Sequence, residues 1–136
     1  MGGKTVRILI IVILLGGLIW MSGCSPANEV KIGMEKNGGE VQVKTGETLA
    51  IALESNPTTG YSWKVVKTDE SLLPQDGEPT YQQTSQDKNI VGAGGVETLR
   101  FKATAPGTVT LQLGYLRSWE TGVEPIQTFS VTVTIQ

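Results

Sequence analysis

The chain holds few side chains that could carry out catalysis. It has no histidine, one cysteine, and 13 aspartate and glutamate residues among its 136 residues. The missing histidine excludes a Ser-His-Asp triad, a Cys-His pair and a histidine-based metal site. Paired carboxylates can hydrolyse glycosides, but none here stands at a predicted strand end with a convergent polar neighbour. These observations favour a binding protein over an enzyme such as a periplasmic hydrolase, and they call for no cofactor or metal.

The most informative polar segment is Asn-Pro-Thr-Thr-Gly-Tyr at residues 56–61. Segments with alternating apolar residues flank it, which predicts a loop between two half-buried strands. Pro57 fixes its own φ and Gly60 permits a positive φ. The loop is therefore expected to be stiff and to present Thr58 and Thr59 outward. Taken alone, the same residue types are also common in an ordinary turn.

Two further segments follow at predicted strand junctions. Gly-Ala-Gly-Gly at residues 92–95 precedes the predicted strand 96–103, and Arg-Ser-Trp at residues 117–119 follows the predicted strand 107–115. Because a strand and not a helix follows the glycines, a phosphate-binding loop does not fit. Trp119 is either an exposed anchor for a partner, a role in which tryptophan is over-represented, or an aromatic side chain folded back on the core.

Together and in this order, the three segments resemble the binding loops of the chagasin family of cysteine-protease inhibitors. The family pattern is Asn-Pro-Thr-Thr-Gly-Tyr, Gly-x-Gly-Gly and Arg-Pro-Trp, and this chain differs only at Ser118, which stands at the proline position. The resemblance covers nearly all of the chain after about residue 30. It implies an all-β, immunoglobulin-like β-sandwich with three binding loops clustered at one end. The implied protease-binding residues are Asn56, Pro57, Thr58, Thr59, Gly60, Tyr61, Gly92, Ala93, Gly94, Gly95, Arg117, Ser118 and Trp119.

The same resemblance implies a mechanism, which is reversible and non-covalent blocking of the active-site cleft of a papain-like cysteine protease. Thr58 and Thr59 would lie near the catalytic cysteine, and residues 92–95 would lie along the non-primed side of the cleft. Trp119 would stack on the aromatic primed-side wall, with Arg117 bonding nearby. The alternative is an adhesion or binding module of the cell envelope that keeps the sandwich without inhibiting a protease.

Alternating apolar residues along the rest of the chain predict strands and turns. Short strands separated by turn residues are typical of a β-sandwich, and Trp63 is the best candidate for a tryptophan packed between the sheets. Residues 68–74 could form one helical turn, because Asp69 and Glu70 suit a helix start and Pro74 suits a stop. The strands are predicted at residues 30–34, 40–43, 48–53, 61–67, 80–84, 96–103, 107–115 and 129–136.

The amino-terminal residues resemble a secretion signal. Lys4 and Arg7 precede an apolar stretch at residues 8–21, which is short for a bilayer span and typical of a signal peptide. Met-Ser-Gly-Cys at residues 21–24 resembles the cleavage box of bacterial lipoproteins. This implies cleavage before Cys24 and attachment of lipid, including palmitate, to that cysteine. An uncleaved anchor or a secretory signal cut elsewhere are the alternatives.

These segments divide the chain into three parts. Residues 1–23 are predicted to form the lipoprotein signal peptide, residues 24–29 the lipidated cysteine and tether, and residues 30–136 the chagasin-like inhibitor domain. The protein is then expected outside the cytoplasm, in the cell envelope, lipid-anchored to the membrane and monomeric. The formal net charge is −2 and no basic stripe appears, so nucleic acid is not an expected partner.

Overall fold

The strands follow the alternating apolar pattern of the sequence. The structure, a computed structural model, describes residues 28–84, 92 and 94–136. Within these residues the chain forms strands joined by turns and two short 3-10 helices, Met34–Lys36 and Pro57–Thr59, so the predicted all-β class is confirmed. The strands are β1 (Glu29–Ile32), β2 (Gly39–Val43), β3 (Thr48–Ser55), β4 (Ser62–Lys67), β5 (Thr80–Gln83), β6 (Gly95–Lys102), β7 (Gly107–Leu116) and β8 (Gln127–Ile135).

The strands form two four-stranded sheets that pack face to face. One sheet has the order β1-β3-β6-β5 and the other has the order β2-β8-β7-β4. The pairs β1/β3 and β2/β8 are parallel, and the remaining pairs are antiparallel. The connection from β3 to β4 therefore crosses from the first sheet to the second. The sandwich predicted from the short alternating strands is confirmed.

The core lies between the two sheets and is filled by the inward residues of the alternating strands. Trp63, Phe101 and Phe129 are the largest side chains with no exposed surface, and leucines and valines surround them. Full burial of one such apolar side chain contributes about 1.5–3 kcal/mol relative to leaving it exposed. The prediction that Trp63 packs between the sheets is confirmed.

One local prediction differs from the structure and a second is borne out. Strand β1 ends at Ile32, before the predicted end at residue 34, because the Gly33 amide donates to the Glu35 carboxylate at 2.8 Å and a 3-10 helix begins at Met34. Residues 69–73 form the single helical turn that the sequence predicted. There the Leu73 amide donates to the Asp69 carbonyl at 2.7 Å, and hydrogen bonds from Ser71 lower the pKa of the Asp69 carboxyl.

The strand register places several strand ends together at one end of the sandwich. Ser55, the last residue of β3, pairs with Gly95 at the start of β6, and Ser62 at the start of β4 pairs with Leu116 at the end of β7. We call this end the loop pole. Strands β3 and β1 begin at the opposite end, where Thr48 pairs with Glu29. Since strands rise by about 3.3 Å per residue, the two poles lie roughly 25 Å apart along β3.

The predicted leader, Cys24 and most of the predicted tether lie outside the described residues, as does Ala93. In the described ranges, no helix has the length and apolar character that crossing a bilayer requires.

Candidate protease-binding site

The connection between β3 and β4, residues 56–61, is the threonine loop. Its centre is the 3-10 turn Pro57–Thr59, which begins at a proline and ends at Gly60 with a φ of 82°. The Asn56 carbonyl accepts hydrogen bonds from the Thr59 amide at 3.1 Å and the Thr59 hydroxyl at 2.6 Å. The Thr58 hydroxyl donates to the Asn56 side-chain carbonyl at 2.6 Å. The loop is thus closed by its own hydrogen bonds while Pro57, Thr58 and Thr59 remain exposed, as the sequence predicted.

The base of the threonine loop rests on a buried tyrosine. The Tyr115 hydroxyl accepts a hydrogen bond from the Asn56 amide at 2.8 Å. Its ring lies between Tyr61 and Trp63, with ring centroids 5.4 Å and 5.1 Å away. Because Tyr115 is on β7 and Asn56 follows β3, this contact ties the loop to the opposite sheet. The alternating pattern of the sequence places Tyr115 in a strand and gives no sign of this role in the site.

The glycine loop, residues 92–95, is bonded to the threonine loop and to the end of β5. The Asn56 side-chain amide donates to the Gly92 carbonyl at 3.1 Å. The Gly94 carbonyl accepts from the Thr84 hydroxyl at 2.8 Å and from the Thr84 amide at 3.3 Å. Asn56 therefore connects the first two loops, since its backbone and side chain bond to different parts of the pole.

Gly95 is buried, and its missing side chain has a packing reason. A Cβ at residue 95 would overlap the Tyr81 ring and the Gln82 carbonyl of the neighbouring strand β5. Gly92 and Gly94 are exposed, and a Cβ at either residue would meet a single atom at an ordinary contact distance. The glycines thus serve two purposes, which are close packing of β5 against β6 at Gly95 and an exposed backbone at Gly92 and Gly94.

The tryptophan loop, residues 117–122, is fastened to the threonine loop by Arg117. The Arg117 Nε donates to the Thr59 carbonyl at 3.1 Å, and its Nη1 pairs with the Glu120 carboxylate at 3.3 Å. The guanidinium carbon lies 4.4 Å from the centroid of the Tyr61 ring, within the range of a cation–π contact. Arg117 therefore has a structural role in the site, because its guanidinium group bonds to residues of the threonine and tryptophan loops.

Trp119 stands out from the pole with 67% of its surface exposed. The indole lies across Gly60, where a Cβ would overlap the ring. Of the two alternatives for this side chain, the structure shows the exposed one, not an aromatic folded back on the core. Removing a large aromatic surface from water requires a partner, so an exposed tryptophan held by a neighbouring glycine is suited to binding.

Ser118 and Trp119 are the two central residues of a tight turn. The Glu120 amide donates to the Arg117 carbonyl at 3.2 Å, which closes a four-residue turn from residue 117 to residue 120. Proline is favoured at the second residue of type I and II turns, where Ser118 stands. Among the hydrogen bonds of the described residues, none uses the Ser118 amide, so a proline there would remove no bond.

The structure brings together at the loop pole every sequence-predicted loop residue that it describes. Ala93 and Cys24 lie outside the described residues. Among the described residues, no group of three histidine, cysteine, aspartate or glutamate side chains could hold a metal ion. The pole thus presents a threonine turn, a glycine backbone and an indole side by side.

Comparison with known proteins agrees with this geometry. Residues 42–133 match the family described as chagasin family peptidase inhibitor I42. The chain belongs to the chagasin family. It is 36% identical over 92 residues to chagasin of Trypanosoma cruzi, covering 65% of this chain and 82% of chagasin. It is 32% identical over 97 residues to amoebiasin-2 of Entamoeba histolytica, covering 71% of this chain and 76% of that protein.

A solved structure shows the same fold. The crystal structure of the cysteine protease inhibitor EhICP2 from Entamoeba histolytica superposes with a TM-score of 0.69 at 24% identity. The superposition covers 80% of this chain and 96% of EhICP2. The two proteins therefore share the sandwich fold over that part of the chain.

The contact between Gly60 and the Trp119 indole gives a first prediction. In the variant Gly60→Ala the new methyl displaces the indole, and we expect inhibition of papain to weaken about tenfold or more, which is about 1.4 kcal/mol. The inhibition constant measures this. Gly46→Ala is the matched control, because Gly46 also has a positive φ of 94° but has nothing within 4 Å and lies at the opposite pole. That variant carries the backbone strain alone, so an equal loss of inhibition in both variants would contradict the role of the contact.

The turn at residues 117–120 gives a second prediction. We expect Ser118→Pro to tighten inhibition modestly, by roughly two- to fivefold, because proline removes about 0.4–1 kcal/mol of freedom from the unbound loop. The inhibition constants of the two chains, measured side by side against papain, test this. An unchanged or larger constant for the proline variant would count against a preorganising role of proline at this position.

Proposed function

We propose that this chain is a reversible, non-covalent inhibitor of papain-like cysteine proteases that blocks the active-site cleft with its three loops. Membership of a family of peptidase inhibitors supports an inhibitor and not an enzyme. The observation that carries the proposal is the loop pole, where the exposed threonine loop is hydrogen-bonded to the glycine loop through Asn56 and to the tryptophan loop through Arg117. The family match does not favour the alternative of an adhesion module.

The threonine loop is proposed to enter the centre of the cleft with Thr58 and Thr59 near the catalytic cysteine. A thiolate attacks a carbonyl carbon only from a restricted direction, so the peptide must be held in a suitable orientation. The closed conformation of the threonine loop does not offer that orientation. The Asn56 and Thr59 carbonyls are both occupied as hydrogen-bond acceptors within the pole. The 3-10 turn keeps the segment from the extended form of a substrate. The loop therefore fills the cleft without being cut.

The other two loops are proposed to flank the threonine loop along the cleft. The exposed backbone at Gly92 and Gly94 suits close approach to the non-primed side, because no side chain stands in the way. Trp119 suits stacking on the aromatic primed-side wall, since aromatic rings prefer stacked or edge-to-face contacts. Arg117 is proposed to hold Trp119 and Thr59 together and so to present both at once.

The loops need little reorganisation before they bind. A standard interface buries about 800 Å² on each partner, and its affinity depends on how much freedom is lost on binding. In this site the loops are already bonded together by Asn56 and Arg117. Preorganisation of this kind favours tight binding by a small surface.

The decisive experiment is titration of active papain with the soluble domain that lacks residues 1–24. One-to-one loss of activity, reversed on dilution and without cleavage of the domain, is expected. If papain remains fully active in the presence of excess domain, the proposal is refuted and the adhesion module becomes the better interpretation.

Trp119 gives the prediction for the binding surface. Trp119→Ala is expected to weaken papain inhibition by about 2 kcal/mol or more, roughly 30-fold, because buried tryptophans dominate many interfaces. Val123→Ala is the matched control, because Val123 is 57% exposed in the same β7–β8 connection but lies beyond the turn that holds the indole. The valine variant is expected to stay within twofold of the parent. Equal effects of the two substitutions would argue against a tryptophan anchor.

We further propose that the protein is exported, cleaved before Cys24 and lipid-anchored to the membrane outside the cytoplasm. The lipoprotein-like box at residues 21–24 supports this proposal. So does the position of Asn28, whose carbonyl accepts from the Thr48 amide at 3.1 Å, at the pole opposite the loops. An anchor attached there would leave the loop pole directed away from the bilayer. A monomer is proposed, because inhibition needs one loop pole for each protease.

Cys24 gives the prediction for the anchor. The chain purified from membranes of a bacterial host is expected to have lost residues 1–23 and to carry lipid on Cys24, as measured by intact-mass spectrometry. Cys24→Ser is expected to abolish both the cleavage and the added mass, since the thiol is the site of attachment. Ser25→Ala, the control, is expected to retain both. An unmodified Cys24 in the parent chain would exclude the lipid anchor.

A further inference from the structure

A buried carboxylate lies directly beneath the threonine loop. Glu97 is the third residue of β6 and is only 6% exposed. By strand alternation its side chain points inward on the same face as Leu99 and Phe101, which belong to the core. A carboxylate in such a place costs free energy unless hydrogen bonds compensate it, so its partners explain why it is there.

The partners of Glu97 are the two stems of the threonine loop. Its Oε2 accepts a hydrogen bond from the Ser55 hydroxyl at 2.9 Å and a second from the Trp63 amide at 3.2 Å. Ser55 is the last residue of β3 and Trp63 is the second residue of β4, so they belong to different sheets. One carboxylate oxygen therefore holds together the points where the loop leaves the first sheet and enters the second.

The Trp63 amide has a particular need for this acceptor. Strand β4 is an edge strand of its sheet and pairs only with β7. At an edge, a backbone amide that points away from the neighbouring strand has no carbonyl to bond. Glu97 supplies the missing acceptor from the opposite sheet, and in doing so it fixes the direction in which β4 begins.

We infer that Glu97 is a positioning residue for protease inhibition, because its carboxylate sets the spacing of the two stems and so holds the threonine loop in its binding shape. This inference rests on the proposed function. Glu97 is buried below the loop and would not touch the protease. It acts through Ser55 and Trp63, which fix the ends of residues 56–61.

The test compares substitutions at residue 97 in the full chain, purified in detergent. Glu97→Met keeps a similar unbranched shape but removes the acceptor, and we expect the inhibition constant for papain to rise about tenfold or more. Amide hydrogen exchange of residues 58–61 should rise by a similar factor, because the stems are no longer held. Glu97→Gln retains an acceptor oxygen at the same distance from the backbone. It should restore inhibition to within about threefold of the parent.

A control at the other end of β3 separates positioning from stability. Thr48 is a buried polar residue of the same strand at the pole opposite the loops. Thr48→Val is expected to leave both the inhibition constant and the amide exchange of residues 58–61 unchanged, whatever its effect on the melting temperature. If Glu97→Met does not fold, Ser55→Ala takes its place, since it removes one of the two donors, and a two- to fivefold rise in both quantities is expected.

Three results would overturn the inference. The first is a folded Glu97→Met chain that inhibits within twofold of the parent. The second is a Thr48→Val chain that loses as much inhibition as the Glu97 variant. The third is unchanged loop exchange and inhibition in Ser55→Ala when the Glu97 variant does not fold. Should the parent chain itself fail to inhibit papain, the proposed function is wrong, and hydrogen exchange still decides whether Glu97 holds the loop.

Discussion

The two sheets are joined at the loop pole by a hydrogen bond from the Trp63 indole to the Glu54 carbonyl, 2.9 Å long. Trp63 belongs to β4 and Glu54 to β3, so this bond crosses the core at the point where the chain passes from one sheet to the other. The indole ring has no exposed surface, and its size sets how far apart the sheets stand there. This spacing determines the distance between the two ends of the threonine loop, which lie on β3 and β4.

Above this crossing, a chain of contacts connects the core to each of the three loops. The Tyr115 ring stacks beside Trp63 and its hydroxyl bonds Asn56 at the base of the threonine loop. Asn56 then reaches the glycine loop, and Arg117 bonds the Thr59 carbonyl from the third loop. Each surface loop is thus connected to the core through a small number of polar contacts. Rigidity of the pole comes from these contacts more than from regular structure.

The sequence was enough to predict the sandwich and the three loops. Buried and more exposed residues alternate strictly in β6, from Phe129 onward in β8, and in β7 as far as Leu113, so their period was easy to detect. The threonine, glycine and tryptophan segments lie at the junctions where they were expected. Strand ends were shifted by one or two residues where side chains intervene, as at Glu35 near the end of β1. Such ends depend on local hydrogen bonds that periodicity does not encode.

The supporting residues of the site were harder to predict. In β6, Glu97 alternates in step with Leu99 and Phe101, so the three side chains lie on the same face of the strand. This alternation was the available sign in the sequence that the carboxylate faces the core. Sequence periodicity treats a charged residue at such a place as an interruption, because the partner that compensates it comes from another strand. Likewise, the pairing of Arg117 with the Thr59 carbonyl joins residues 58 positions apart in the chain. Contacts between residues so far apart in the chain are determined by how the strands pair in the folded protein, which the sequence pattern does not show.

Both ends of the described domain lie away from the loops. Asn28 bonds Thr48 at the start of β3, and the Gln136 carbonyl accepts from Thr45 in the turn beside it. Additional protein could therefore be joined to either end without standing between the loops and a protease. The geometry makes the domain suitable as a module that can be fused to a surface protein or repeated in tandem, because the loop pole of every copy stays accessible.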